Sequence, residues 1–305
     1  MNTNLSHQDE KIKFEEIIKE NVSLSKFTTF KTGGIAEYYC EPGRFEELIT
    51  ALNFANINNL KINILGAGSN VIISDKKIKG LTIRTHKLCR YSIRGNIFSC
   101  RTGMSLDRAI NITQNDGMLG LEGLSGIPGS IGGAVHGNAG AYGYTISDRL
   151  LYIDYITFDG KTHRMDRNGE DFGYRDSPFK HMENAIIFEA GFFLDKNNYS
   201  AYAKAVKDEN TKNRIDKGLL KYPSAGSIFK NPDGYIAGKL IEDCNLKIKN
   251  INDAFICESH CNYIMNKKNA TSKDIYELSK MCKKAVKDKF NIELEYEVQF
   301  IGDFS

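Results

Sequence analysis

Two stretches of the sequence place residues where they could hold a phosphate. GAGSN, residues 66–70, sets Gly66, Ala67, Gly68, Ser69 and Asn70 in one short turn. LEGLSGIPGSIGGAVHGNAGAYG, residues 121–143, carries eight glycines in 23 residues. Each glycine in a helix or strand interior costs roughly 0.5–1 kcal/mol relative to alanine, so this density implies a requirement. Leu121, Leu124, Ile127, Pro128, Ile131, Ala134 and Val135 interleave with the glycines, unlike the polar repeats of a linker. The pattern predicts a packed loop whose backbone approaches a ligand closely, with Gly126, Gly129, Gly132 and Gly133 leaving N–H groups free to cradle phosphate. The GAGSN turn can offer N–H groups and the Ser69 hydroxyl to the same end.

Three further stretches carry reactive side chains. YRDS, residues 174–177, sets Arg175 in a polar turn beside Pro178. SAGSIFKNP, residues 224–232, flanks Gly226 with serines and ends in Lys230 and a turn. LEYEVQF alternates, with Glu293, Glu295, Glu297 and Gln299 opposite an apolar face, a pattern that by periodicity alone reads as a solvated edge. Several chemistries fall away. Neither Ser130 in GSIGG nor Ser227 in GSIF fits the G-x-S-x-G elbow of a serine hydrolase. There is no G-x-x-x-x-G-K-[ST] loop, and Val71 stands where a dinucleotide fingerprint needs its third glycine. CESHC, residues 257–261, lacks a second pair of ligands at zinc-site spacing, so no metal is expected.

The elements that must position these residues follow from periodicity. Phe45, Leu48, Ile49 and Leu52 give one apolar helical face. INIL predicts a buried strand before GAGSN, and the β-branched Val71, Ile72 and Ile73 predict another after it, making GAGSN a strand-to-strand turn. LTIRTH and NIFSCR read as extended, and Ser105 caps a helix that Gly117 stops. LLYIDYITF, Asp159-Gly160 and KTHRM predict a hairpin with a type I′ turn, and AIIFEAGFFL a further strand. The lysine-rich residues 196–218 read as a boundary plus an exposed helix. Ile275, Leu278, Cys282, Ala285 and Val286 share the face of an amphipathic helix, and IELEYEVQFIG alternates as a strand.

Composition bounds the rest. A chain of 305 residues suggests two or three domains, and a net charge of +3 gives no indication of a nucleic-acid or membrane partner. The polar N-terminal residues do not form a signal peptide, no apolar run is long enough to span a bilayer, and a cytoplasmic location is the default. Seven cysteines without disulfide-like spacing suggest reduced thiols.

In order along the chain, GAGSNVIISD, GLEGLSGIPGSIGGAVHGNAGAYG, FGYRDSPFK, SAGSIFKNP, AGKLIEDCNLK, HCNYIMNKK and LEYEVQFIG resemble the UDP-N-acetylenolpyruvoylglucosamine reductase family, also called UDP-N-acetylmuramate dehydrogenases. The resemblance covers about residues 25–302, and the short path from YRDS to SAGSIFKNP is similar to the type II members. It implies an α+β fold of the vanillyl-alcohol-oxidase FAD-binding type. Two α+β flavin-binding subdomains, residues 1–90 and 91–200, would be followed by a C-terminal α+β substrate-binding domain, residues 201–305. It also implies a cytoplasmic, monomeric enzyme of bacterial peptidoglycan precursor synthesis, with noncovalent FAD, NADPH and a nucleotide-sugar substrate. A flavin oxidase on the same fold and a nucleotide-binding module without catalysis are the rival readings.

The resemblance further assigns roles. Gly66, Ala67, Gly68, Ser69 and Asn70, with Gly126, Ile127, Pro128, Gly129, Ser130, Gly132, Gly133 and Ala134, would hold the FAD pyrophosphate and flank the isoalloxazine. Asn138, Gly140 and Ala141 would continue that wall. Reduced flavin N5 would deliver hydride to the enol ether, and Ser227 would supply the proton. Arg175 would hold the substrate carboxylate, and a protonated Glu297, its pKa raised by partial burial, would donate to the developing charge. Lys230, Lys239, His260 and Asn262 would contact sugar, diphosphate or NADPH. His136 departs mildly from the family pattern. Histidines carry covalent flavin in related oxidases, but this family holds FAD noncovalently.

Overall fold

The structure is a computed structural model and describes residues 12–167, 171–196 and 200–305. The first sheet runs in the order Lys19–Ser23, Ile35–Cys40, Ile78–Arg84, Ile62–Leu65. Its first pair is antiparallel and the others parallel. Helix Phe45–Ile57 covers it, burying Leu48, Ala51, Leu52 and Ala55 against Leu81 and Ile83. Phe45 and Ile49, at the edge of the predicted apolar face, are partly buried.

The second sheet is antiparallel throughout, in the order Thr162–Asp166, Leu150–Thr157, Ala185–Phe193, Ile97–Arg101, Tyr91–Arg94. Ile156 and Ile186 from it join the core of the first sheet, so the two sheets share packing. Helix Leu106–Asn115 starts where the Ser105 hydroxyl accepts from Arg108 N–H, as its sequence predicts. Leu106, Ala109 and Ile110 pack with Phe98, Phe192, Ile131 and Val135 beneath the glycine stretch.

The 162–166 hairpin forms, but not through a type I′ turn, which needs positive φ at both central residues. Gly160 has φ 84°, whereas Asp159 is absent from the positive-φ residues. Thr157 N–H donates to Lys161 O at 2.9 Å, leaving a three-residue loop with glycine in the left-handed position. The Asp159 carboxylate accepts from Lys161 N–H, which helps fix the longer loop.

Helix Ser200–Asp216 is docked on one side rather than exposed all round. Ala203 and Asn210 are buried; Asn210 Nδ2 donates to Gly123 O at 3.2 Å, and Gln114 Nε2 donates to Ala203 O at 3.1 Å. The C-terminal part joins the small sheet Asn250–Ile251, Ala254–Ile256, Ile264–Asn266 to helices Ala237–Asp243 and Ser272–Phe290. Its core holds Ile228, Phe229, Ile275, Leu278, Cys282 and Val286, and also takes in Phe30 and Ile72 from the N-terminal part. Asp75 completes that junction by accepting from Ser272 N–H at 3.0 Å and Lys273 N–H at 2.9 Å. Of the alternating segment 292–302, Gln299–Ile301 pairs as a strand, parallel to Val71–Ile73. All seven cysteines are free thiols, and no helix among the described residues is long and apolar enough to cross a membrane.

Candidate active site

A cleft of about 880 Å³ opens between the GAGSN turn, the glycine stretch and the C-terminal part. Gly66, Ala67, Gly68, Ser69 and Asn70 form one wall, and Ile127, Pro128, Gly129, Ser130, Gly132, Gly133 and Ala134 the facing one. Gly68 has φ 69°, and a Cβ there would lie 2.1 Å from Phe27 O, so only glycine fits the turn against the chain beneath it. Gly132 donates its N–H to Thr102 O at 2.8 Å, and a Cβ on it would stand 1.8 Å from Thr102 Oγ1. The walls meet where a Cβ on Gly66 would come 2.7 Å from Ser130 Oγ.

This wall suits a diphosphate. Among the described residues, no protein acceptor takes the N–H groups of Ala67, Gly68, Ser69, Asn70, Gly129 or Ser130. A buried N–H without a partner costs free energy, and an anion in the cleft would satisfy several. Arg214, from the inner side of helix Ser200–Asp216, also lines the cleft, and its Nε is buried without a partner. The residues present therefore fit FAD, whose pyrophosphate the two glycine turns would hold.

At the other end of the cleft, distant segments converge on Arg175. Its backbone is left-handed, with φ 55°. Its Nε donates to Glu297 Oε1 at 2.7 Å and its Nη2 to Gly140 O at 2.8 Å. The turn bearing it is tied to the glycine stretch twice, by Asn138 Nδ2 to Gly173 O and by Ser177 Oγ to His136 O, both at 2.7 Å. Glu297 is fixed through its backbone: its N–H donates to Ile228 O at 2.8 Å, and its O accepts from Asn70 Nδ2 at 3.1 Å. Ser227 precedes Ile228 and lines the same cleft, its hydroxyl without a hydrogen-bond partner among the described residues. Burial pushes the Glu297 carboxyl above the ordinary carboxylate range, against the opposing pull of Arg175, Lys180 and Lys230.

The remaining predicted site residues lie behind or beside the cleft. Asn262 is buried and spends its amide on one neighbour, Oδ1 accepting from Phe229 N–H at 2.9 Å and Nδ2 donating to Phe229 O at 2.8 Å. Lys230 pairs with Glu295 at 3.3 Å, and Lys239 with Asp243 at 3.0 Å on the outer face of its helix. The His260 ring packs edge-on against Tyr263, 4.7 Å between centroids, with Nδ1 buried and unpartnered. Gly126 backs onto Arg214, Asn138 is buried behind Arg175, and Ala141 pairs with Tyr144 in a short hairpin.

Lys180, Arg214 and Tyr263 line the cleft without having been singled out from the sequence. Ala203, Asn210 and Arg214 recur seven and four residues apart, the spacing of one helical face, which is the signal that the lysine-rich composition hid. His136 also lines the cleft; burial, then Lys180, lowers its pKa to about 4, so the ring is neutral at pH 7.

Residues 218–301 match the family described as UDP-N-acetylenolpyruvoylglucosamine reductase, C-terminal domain, and residues 36–166 match an FAD binding domain. UDP-N-acetylenolpyruvoylglucosamine reductase of Clostridium novyi (strain NT) is 38% identical over 297 residues, 97% of this chain and 96% of that one. Its counterpart in Lachnoclostridium phytofermentans is 35% identical over 99% of both chains. The crystal structure of the reductase from Thermus caldophilus superposes with a TM-score of 0.80 at 30% identity, covering 93% of this chain and all of that one. Near-complete coverage at this identity, on a cleft that fits a dinucleotide, places the chain in the UDP-N-acetylenolpyruvoylglucosamine reductase family of FAD-dependent oxidoreductases.

Proposed function

We propose that Arg175, Ser227 and Glu297 carry the reduction of UDP-N-acetylglucosamine enolpyruvate to UDP-N-acetylmuramate, the family's step in peptidoglycan precursor synthesis. Bound FAD supplies the hydride, which it obtains from NADPH. The observation that carries this reading is the convergence of Arg175 and Glu297 on one cleft with Ser227. The Arg175 guanidinium is planar and always charged, suited to a fork on the substrate carboxylate. Burial raises the Glu297 carboxyl and so favours the protonated form, which would share its proton with the charge that develops beside that carboxylate. The unpartnered Ser227 hydroxyl donates the proton that completes the lactyl ether.

In this reading Gly66, Ala67, Gly68, Ser69, Asn70 and the 126–134 turn hold FAD noncovalently, and Asn138, Gly140 and Ala141 shape the wall through Arg175. Lys230 and His260, beside the cleft, would meet the sugar, diphosphate or NADPH, Lys239 would do so only by leaving Asp243, and Asn262 supports the Ser227 segment through Phe229. The parts divide at about residues 90 and 200, supported by the two sheets and by the reach of the C-terminal match. The enzyme works as a cytoplasmic monomer with its nucleotide-sugar substrate. A visible spectrum tests the core of it: the purified protein is yellow, NADPH bleaches it, and the enolpyruvyl sugar restores the colour without oxygen. Ser227→Ala leaves bleaching intact and slows recovery; equal rates of recovery in both proteins would refute the proton-donor role.

A further inference from the structure

Lys180 ends the short turn Pro178–Lys180 and lines the cleft where the Arg175 turn, the glycine stretch and the C-terminal segment meet. Its ammonium donates to the Arg175 carbonyl at 2.5 Å. Arg175 holds a left-handed backbone, φ 55°, which costs a residue with a Cβ on the order of 1–2 kcal/mol. Among the described residues, no carboxylate lies within ion-pair distance of Lys180, so its short contact is that carbonyl. The charged and titratable groups around it are Arg175 and Asp176 on its own segment, Glu297 and Lys230 from the C-terminal part, and His136 from the glycine stretch. Burial and Lys230 hold its ammonium below the ordinary lysine range, and its charge in turn draws the Glu297 carboxyl down.

We propose that Lys180 is a positioning residue for reduction of the enolpyruvyl substrate: it pins the Arg175 carbonyl, aims the guanidinium into the cleft and keeps positive charge facing Glu297. It rests on the roles proposed above for Arg175 and Glu297. An angstrom of misplacement in such a group can cost about 100-fold in rate, with little effect on steps that do not use it.

The test follows two half-reactions of the purified holoenzyme by stopped flow, flavin reduction by NADPH and flavin reoxidation by the enolpyruvyl sugar. Lys180→Met slows reoxidation by about 10- to 100-fold and leaves reduction by NADPH within about 2-fold of wild type. Lys180→Arg, which keeps both a donor and the charge, recovers most of the loss. Removing a cation near Glu297 favours its protonated form, so the alkaline fall in reoxidation rate moves to higher pH in Lys180→Met. Altered packing alone leaves that fall where it is. Should Lys180→Met fail to retain flavin, Lys180→Gln is read instead: it is neutral, keeps an N–H donor and shifts the same limb. Reoxidation at the wild-type rate, equal slowing of both half-reactions, no rescue by arginine or an unmoved alkaline limb each overturns the proposal. Wild-type protein that is never reoxidised by the sugar would overturn the functional reading instead.

Discussion

Arg175 Nε lies 2.7 Å from Glu297 Oε1, a contact between residues 122 positions apart. Burial raises the Glu297 carboxyl against the pull of the guanidinium beside it, which favours its protonated form. In the proposed mechanism the protonated form of Glu297 is the donor, and raising the pH through its raised pKa would remove that donor. Reoxidation by the enolpyruvyl sugar should therefore fall toward alkaline pH. In Glu297→Gln, which donates but does not titrate, the limb should flatten while the rate falls by less than the 10²- to 10³-fold typical of deleting such a donor. A limb unchanged in this variant would assign the titration to another group.

The wall of the GAGSN turn leaves no room for a side chain at Gly68. With φ 69° and Phe27 O 2.1 Å from the position of a Cβ, Gly68→Ala must displace the turn. The protein should purify with little flavin, read as the ratio of visible to ultraviolet absorbance. Gly95→Ala is the control: its φ is 60° but nothing stands within 4 Å, so it should lose about 1 kcal/mol of stability and keep its colour.

Asn262 holds both the N–H and the O of Phe229, two residues after Ser227. Asn262→Ala leaves those buried groups unsatisfied at about 1–3 kcal/mol each. Chemical denaturation should detect the loss, and reoxidation should slow with it because Ser227 shares that segment. Full stability in the variant would mean that water replaces the amide.

His136 links acid stability to the cleft. Its pKa falls from 6.5 to about 4 on folding, so below pH 6.5 the unfolded chain binds a proton the folded one refuses. The stability it contributes is present above that value and is lost as pH falls toward 4. His136→Phe should show a smaller drop in melting temperature between about pH 7.5 and about pH 5 than wild type. His260, also lowered by burial, keeps part of the drop.

Much of this architecture was legible in the sequence, because local signals and tertiary demands agree there. The Ser105 cap, the strands on either side of GAGSN and the apolar face of helix Ser272–Phe290 formed as their spacing predicts. What was hidden lay in contacts between distant segments. Glu297 belongs to the polar face of an alternating run, and periodicity alone makes that face solvent; the Arg175 turn covers it instead. Arg214 sits in a lysine-rich helix, and only docking on Gly123 and Gln114 shows which side faces inward. The Asp-Gly turn failed for a local reason, since one extra loop residue exchanges a mirror-image turn for an ordinary one closed by glycine.

The parallel pairing of Gln299–Ile301 with Val71–Ile73 ties the segment after the GAGSN turn to the C-terminal part. The Asn70 carbonyl accepts the Gln299 N–H at 2.9 Å and its Nδ2 donates to Glu297 O, so the turn proposed to hold the pyrophosphate is braced from residues 297–299. A backbone shift at residues 297–299 would therefore reach both the wall proposed to hold the flavin and the carboxyl of Glu297, coupling the two ends of the cleft through one strand.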